Sequence, residues 1–298
     1  MPGMKQKTIA SVISRKVKAW ASSIDDDDLA KRAHDHAIVT GGSITSMLLG
    51  ERVNDFDIYF SDFGTARDLA EYYLKKMKVK SKVNAESYVK TEDQRVKIYI
   101  KSAGAVGASS NEPDAPSYDY FETMNDGGEA AEAFIDQATK DLEEKPPYEP
   151  VFASTNAITL SGKVQLIFRF WGDPATIHKN YDFVHCLNYW TSQSGLVLNK
   201  DALAATLSKT LVYSGSKYPV CSIFRTRKFI ERGWRITAGQ MLKMSWQVAD
   251  LDLTDFDVME DQLTGVDVAY FHELIGELKK NGDKVEEGYL FKLIDRVM

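Results

Sequence analysis

The chain has 298 residues, of which 44% are hydrophobic and 27% charged, and a net charge of −6. That length can bury one large core or two modest ones, and the composition is that of an ordinary globular protein. No apolar run reaches the roughly 18–20 residues that cross a bilayer. The two cysteines, Cys186 and Cys221, exclude a disulfide-dense scaffold, and an acidic chain holds nucleic acid only through a local basic patch.

In chain order, residues 5–22 read as an amphipathic helix, with Ile9, Val12, Ile13, Val17 and Trp20 at helical spacing and lysines and Arg15 between them. Such a basic helix can touch RNA or a membrane surface, or pack on the adjacent domain. These residues lack the apolar core of a secretory signal. Asp25 to Asp28 resemble a metal cluster, but consecutive carboxylates diverge, and acids at a helix start complement its dipole. Residues 37–40 form a short apolar strand, and 43–49 a helix ended by Gly50. Alternation of Phe56, Ile58 and Phe60 with polar neighbours marks a strand with one buried face. A helix over 65–78 and an alternating strand over 95–101 follow. Residues 103–127 are rich in Gly, Ser, Asn, Pro and Asp and read as a loop or insertion, with a helix over 129–144 behind it. Strands over 157–160 and 163–168 flank a Ser161-Gly162 turn, and after Pro174 the pattern is mainly helical. The expected division is an N-terminal helical segment (1–36), a mixed α/β head (37–185) with an insertion near 103–150, and an α-helical neck and body (186–298). Of the five tryptophans, Trp171, Trp190, Trp234 and Trp246 are expected in the core rather than as base-stacking platforms.

The chemistry concentrates between residues 39 and 60, VTGGSITSMLLGERVNDFDIYF. A strand, a Gly41-Gly42-Ser43 turn, a helix and a second strand carrying Asp55 and Asp57 follow one another. Glycines allow backbone amides close to a triphosphate, and the helix start offers unpaired N–H groups to its oxygens. Carboxylates two residues apart on a strand face one side. A pair of that kind holds Mg²⁺ (or Mn²⁺) when phosphate oxygens complete the coordination.

With these residues in view, GGS followed by DFD resembles the polymerase-β-type nucleotidyltransferase superfamily. Residues 182–189 (DFVHCLNY) and 222–229 (SIFRTRKF), with Gly233-Trp234, resemble head-end and neck motifs of its CCA-adding enzyme and poly(A) polymerase branch. The set is also similar to bacteriophage-encoded nucleotidyltransferase-like proteins. The resemblance implies a mixed-sheet head followed by an α-helical body. It also implies transfer of NMP from an NTP to a hydroxyl, such as an RNA 3′ end, with release of pyrophosphate. On that reading Asp55 and Asp57 hold the metal, while Gly41, Gly42, Ser43, Arg225 and Lys228 hold the nucleotide. The expected setting is cytoplasmic, with no membrane partner.

Two departures keep an alternative open. The superfamily's third carboxylate belongs on a later strand, and that strand reads KVQLI, placing Gln165 there. An amide neither takes a proton nor balances metal charge. The acid pair that selects the nucleotide is replaced by Lys217-Tyr218-Pro219. Either Asp173 or Asp182 supplies the missing acid, or the chain is a non-catalytic descendant that binds nucleotide or nucleic acid or serves phage structure or assembly. Arg169, just beyond Gln165, reads equally as a phosphate contact or a surface base. His185, among Phe183, Cys186 and Leu187, reads as a core histidine.

Overall fold

The computed structural model describes residues 3–80, 86–92, 95–101, 148–153, 156–255, 258–259 and 262. The expected insertion near 103–147 and its helix lie outside them. The chain divides into two compact units. The first comprises the described residues up to 101 with 148–177 and 189–197; the second comprises 178–188 and the described residues from 198 onward.

The first unit is built on a seven-stranded mixed sheet. Its strands are β1 (Ala37–Thr40), β2 (Phe56–Phe60), β5 (Pro150–Ala153), β6 (Ala157–Leu160), β7 (Val164–Trp171), β8 (Tyr189–Thr191) and β9 (Gly195–Val197), in the spatial order β5-β6-β7-β2-β1-β8-β9. Only the β2–β7 pairing is parallel. Register aligns a continuous apolar row across six strands: Ile158, Leu166, Ile58, Val39, Trp190 and Leu196, all buried. A separate hairpin joins β3 (Glu86–Glu92) to β4 (Arg95–Lys101).

Helices α1 (Gln6–Ala21), α2 (Asp27–His36), α3 (Gly42–Leu49) and α4 (Phe63–Lys80) complete this unit, with the short α5 (Pro174–His178) at its end. Ile9, Ile13, Val17 and Trp20 of α1 are fully buried, so this basic helix is a packing element. Trp20 lies 6.2 Å from Phe60, which stacks on Phe168 at 5.8 Å, and the indole N–H donates to the Tyr73 hydroxyl at 2.9 Å. Truncating such a side chain costs about 3–5 kcal/mol, because it leaves a cavity and an unpaired hydroxyl. The aspartate run is spent on helix structure: Asp26 accepts the Leu29 N–H and Asp28 pairs with Arg32.

The second unit contains α6 (Lys200–Ser208), α7 (Pro219–Glu231) and α8 (Ala238–Ala249), a 3-10 turn at Val184–Cys186, and two short parallel strands, β10 (Thr210–Leu211) and β11 (Arg235–Ile236). Its core gathers Phe183, His185, Tyr213, Phe229 and Trp234, with ring centroids 4.3–5.9 Å apart. The mixed α/β head and helical body expected from sequence are the architecture formed. Several details differ: strand β5 and the pair β10–β11 were not anticipated, and three further points stand out. Residues 189–197, read as the start of the body, return to the head sheet, because Tyr189–Thr191 pairs antiparallel with β1. The strand β3 was not anticipated. Trp246 is 71% exposed, since α8 buries Met244 on one stripe and turns Trp246 to the opposite side.

Candidate functional site

The antiparallel register of β1 with β2 pairs Val39 with Ile58 and Ile38 with Tyr59. The end of β1 therefore lies beside the start of β2, and the next step of that register sets Thr40 opposite Asp57. Gly41 leaves the strand with φ 88° and ψ −147°, a conformation that a β-carbon disfavours. α3 begins at the next residue. Its N-cap residue, Gly41, has no side chain with which to cap the first turn, and a helix N-terminus offers its leading N–H groups to an anion.

Two further observations mark this corner. A β-carbon built on Gly42 would meet nothing within 4 Å, so packing does not demand glycine there and the space before the helix is open. Ser43 is 3% exposed, yet its hydroxyl has no hydrogen-bond partner among the described residues. A buried hydroxyl left unsatisfied costs about 1–3 kcal/mol. That cost is removed when an acceptor such as a phosphate oxygen enters.

Asp55 is the exposed residue immediately before β2, and Asp57 is half-buried within it. The start of β2 is fixed from the side by the turn before β7. The Phe56 N–H donates to the Lys163 carbonyl at 2.8 Å, and the Lys163 ammonium donates to the Val53 carbonyl at 3.3 Å. Burial first, and then the negative charge of Asp55, push the Asp57 carboxyl well above the usual carboxylate range. Both influences oppose the charged form, and a bound cation would reverse both.

The parallel pairing of β2 with β7 sets Gln165 in register with Asp57, and β6 adds Thr159 in register with Gln165. Asp57, Gln165 and Thr159 thus form a half-buried polar row beside the buried apolar row of Ile58, Leu166 and Ile158. Thr159 was not singled out in the sequence; the three-strand register that places it there is not readable from one strand. Arg169, on the same side of β7 by alternation, is half-buried with its guanidinium 5.4 Å from the Phe170 ring. Asp173 is an exposed residue whose carboxylate accepts the Thr176 N–H at 2.7 Å and starts α5.

The remaining residues expected at the site fall in the second unit. Asp182 is 8% exposed and accepts a hydrogen bond from the Arg225 guanidinium at 2.6 Å. Lys228 is exposed on α7, three residues beyond Arg225. Among the described residues no cluster of three or more His, Cys, Asp or Glu could hold a metal. Asp55 and Asp57 do not form a closed protein cage. Two carboxylates could hold a hard divalent cation only with water and substrate phosphate as its other ligands, an arrangement Mg²⁺ commonly adopts.

A family model described as Gad2, Gabija anti-defense 2 family protein, matches residues 11–209. A protein of Bacillus phage SPbetaL7 described as "Gabija anti-defense 2" is 21% identical over 266 residues, covering 88% of this chain and 49% of the relative. The chain therefore spans about half the length of the curated relative it matches. Among solved structures, the Thermotoga maritima CCA-adding enzyme complexed with tRNA is similar at 12% identity, covering 87% of this chain and 54% of that one, with a TM-score of 0.39. The Bacillus stearothermophilus CCA-adding enzyme in complex with CTP is similar at 10% identity, covering 88% and 51%, with a TM-score of 0.38.

Proposed function

The chain belongs to the Gabija anti-defense 2 family, and we propose that it counters that defence as a metal-dependent nucleotidyltransferase, transferring NMP from an NTP to a hydroxyl with release of pyrophosphate. The observation that carries this reading is the Asp55–Asp57 pair. Its half-buried member is held against its charge, beside a glycine-started helix whose Ser43 hydroxyl lacks a hydrogen-bond partner among the described residues.

In this reading Asp55 and Asp57 hold Mg²⁺ or Mn²⁺. When bound there, such a metal would supply charge neutralisation of the phosphates and of the leaving pyrophosphate. The first turn of α3 and the Ser43 hydroxyl hold the triphosphate. The acceptor oxygen bonds to the α-phosphorus as the bond to the bridging α–β oxygen breaks, and that electron pair leaves with pyrophosphate. Gln165 takes no proton, so the acceptor's proton passes to water, without the roughly 10²–10⁴-fold help of a placed base. Arg225 and Lys228 are proposed to contact nucleotide or acceptor. An RNA end or a hydroxyl on a component of the Gabija system is the proposed acceptor.

One observation favours a second reading. Gln165 stands in register with Asp57, where a third acid would complete the site. A descendant that binds nucleotide without transferring it would have that arrangement. Labelled NTPs, Mg²⁺ or Mn²⁺, and RNA, DNA or Gabija-system proteins as acceptors separate the two. Label on an acceptor that is lost in Asp57→Asn supports transfer. Absence of label with both wild type and Gln165→Asp, when both are folded and bind NTP, supports the binding reading.

A further inference from the structure

Lys163 stands in a backbone conformation that its own side chain opposes. Leu160 and Val164 pair across the β6–β7 hairpin, so its loop is Ser161, Gly162 and Lys163. Gly162 has φ 75° and Lys163 φ 60°, both in the left-handed region. Glycine is the residue ordinarily placed at such loop positions, because a β-carbon is crowded there. Among the described residues two other non-glycines, Tyr148 and Lys209, have positive φ. Lys209 ends α6, where that conformation is common. Tyr148 belongs to the same corner as Lys163, its ring 3.4 Å from where a Gly162 β-carbon would stand.

The surroundings hold this turn in place. The Ser161 N–H donates to the Glu149 carbonyl at 2.8 Å, and the Ser161 hydroxyl accepts the Glu149 N–H at 2.9 Å. From α1, the Lys16 ammonium donates to the Gly162 carbonyl at 3.0 Å. On its other side the turn meets the segment before β2. The Lys163 carbonyl accepts the Phe56 N–H, and the Lys163 ammonium donates to the Val53 carbonyl. Those two groups bracket Asp55, and residues 51–55 have no regular secondary structure of their own. A glycine at 163 would supply the same carbonyl without the strain, but not the ammonium. The strain thus accompanies a bond that only a long side chain with a donor at its end can make. Backbone strain over-determined by its surroundings is characteristic of functional sites.

We propose that Lys163 is a positioning residue for the Asp55–Asp57 pair, its side chain holding the segment before β2 so that both carboxylates meet one divalent cation. The inference rests on the reading of that pair as a metal site, and adds to it a residue that touches neither metal nor nucleotide. The role requires a hydrogen-bond donor at the end of a long side chain, which arginine also provides.

Mn²⁺ binding followed by electron paramagnetic resonance, with and without a non-hydrolysable NTP, tests this. The proteins compared are wild type, Lys163→Gly, Lys163→Met, Lys163→Arg and Asp57→Asn, each with a melting curve and backbone amide exchange at residues 53–57. Lys163→Gly should melt no lower than wild type, since glycine relieves the left-handed strain. It should nevertheless bind Mn²⁺ in the presence of nucleotide about tenfold more weakly, the lower end for losing a group that orients a metal ligand. Lys163→Met keeps the stem and loses the donor, so it should weaken Mn²⁺ binding equally, and in both variants exchange at 53–57 should quicken. Lys163→Arg should retain wild-type affinity and exchange. Wild-type Mn²⁺ affinity in folded Lys163→Gly or Lys163→Met overturns the inference alone. Weaker binding of nucleotide without metal in those variants would make Lys163 a phosphate contact and also overturns it. If wild type binds Mn²⁺ no better than Asp57→Asn, the metal reading fails and this inference fails with it.

Discussion

Asp57 in the first unit and Asp182 in the second are both carboxylates withdrawn from water, and their surroundings treat them oppositely. Asp182 meets the Arg225 guanidinium at 2.6 Å, the ordinary solution to burying a charge. Asp57 meets a second negative charge, Asp55, and its pKa is raised by that neighbour and by burial. A site selected for folding alone would neutralise Asp57 as Asp182 is neutralised. On the proposed reading, Asp182 is held by an ion pair within its own unit, whereas Asp57 would be positioned for a cation that the protein does not itself supply.

The sharpest way to break this comparison is Asp57→Asn. It removes a charge that the fold opposes, so no detectable transfer should remain while the melting temperature at neutral pH rises. The sign follows from the raised pKa. The contribution of Asp57 to stability is fully present below its unfolded pKa and is lost as pH rises through the folded one, so at neutral pH the carboxyl is a net cost to the fold. A falling melting temperature would show that Asp57 is structural. Gln165→Asp tests the neighbouring position. Restoring an acid in register with Asp57 should raise transfer by about 10²-fold or more, the lower end for a placed general base. Labelled-acceptor rates read this directly.

The second unit should respond to pH in the opposite sense. Burial lowers the His185 pKa to about 4, with Asp182 acting weakly the other way. An unfolded histidine titrates near 6.5, so the stabilisation is complete above that pH and is lost as pH falls from about 6.5 to 4. The loss is on the order of 3 kcal/mol for His185. Chemical denaturation followed through the tryptophans should show it, and His185→Phe should flatten the dependence. The smallest expected effect is at Gly42. Open space around it predicts that Gly42→Ala folds normally, while the added methyl weakens NTP binding about tenfold by intruding on the phosphate path.

Much of this was legible in the sequence, for identifiable reasons. The alternation of Phe56, Ile58 and Phe60 and the Gly41-Gly42 break define β1, α3 and β2, and hence the neighbourhood of Asp55 and Asp57. The position of Gln165 could be anticipated because β6 and β7 alternate cleanly around Gly162. Strand β3 was hidden because Glu86, Lys90 and Glu92 dilute the apolar alternation of Val89 with its neighbours. Strands β8 and β9 are three residues each, too short to show a period, and only pairing with β1 makes them part of the head. That the Ser43 hydroxyl has no hydrogen-bond partner among the described residues depends on burial by distant residues, which no local pattern reports. The exposure of Trp246 has the same origin.

The claim that Asp57 is held for an external cation is tested most directly by titration calorimetry. Mg²⁺ is added to wild type and to Asp57→Ala, with and without a non-hydrolysable NTP. The account predicts that wild type binds Mg²⁺ more tightly when nucleotide is present, because phosphate oxygens complete the ligand set, and that Asp57→Ala loses this enhancement. Equal Mg²⁺ binding by the two proteins in the presence of nucleotide would contradict it.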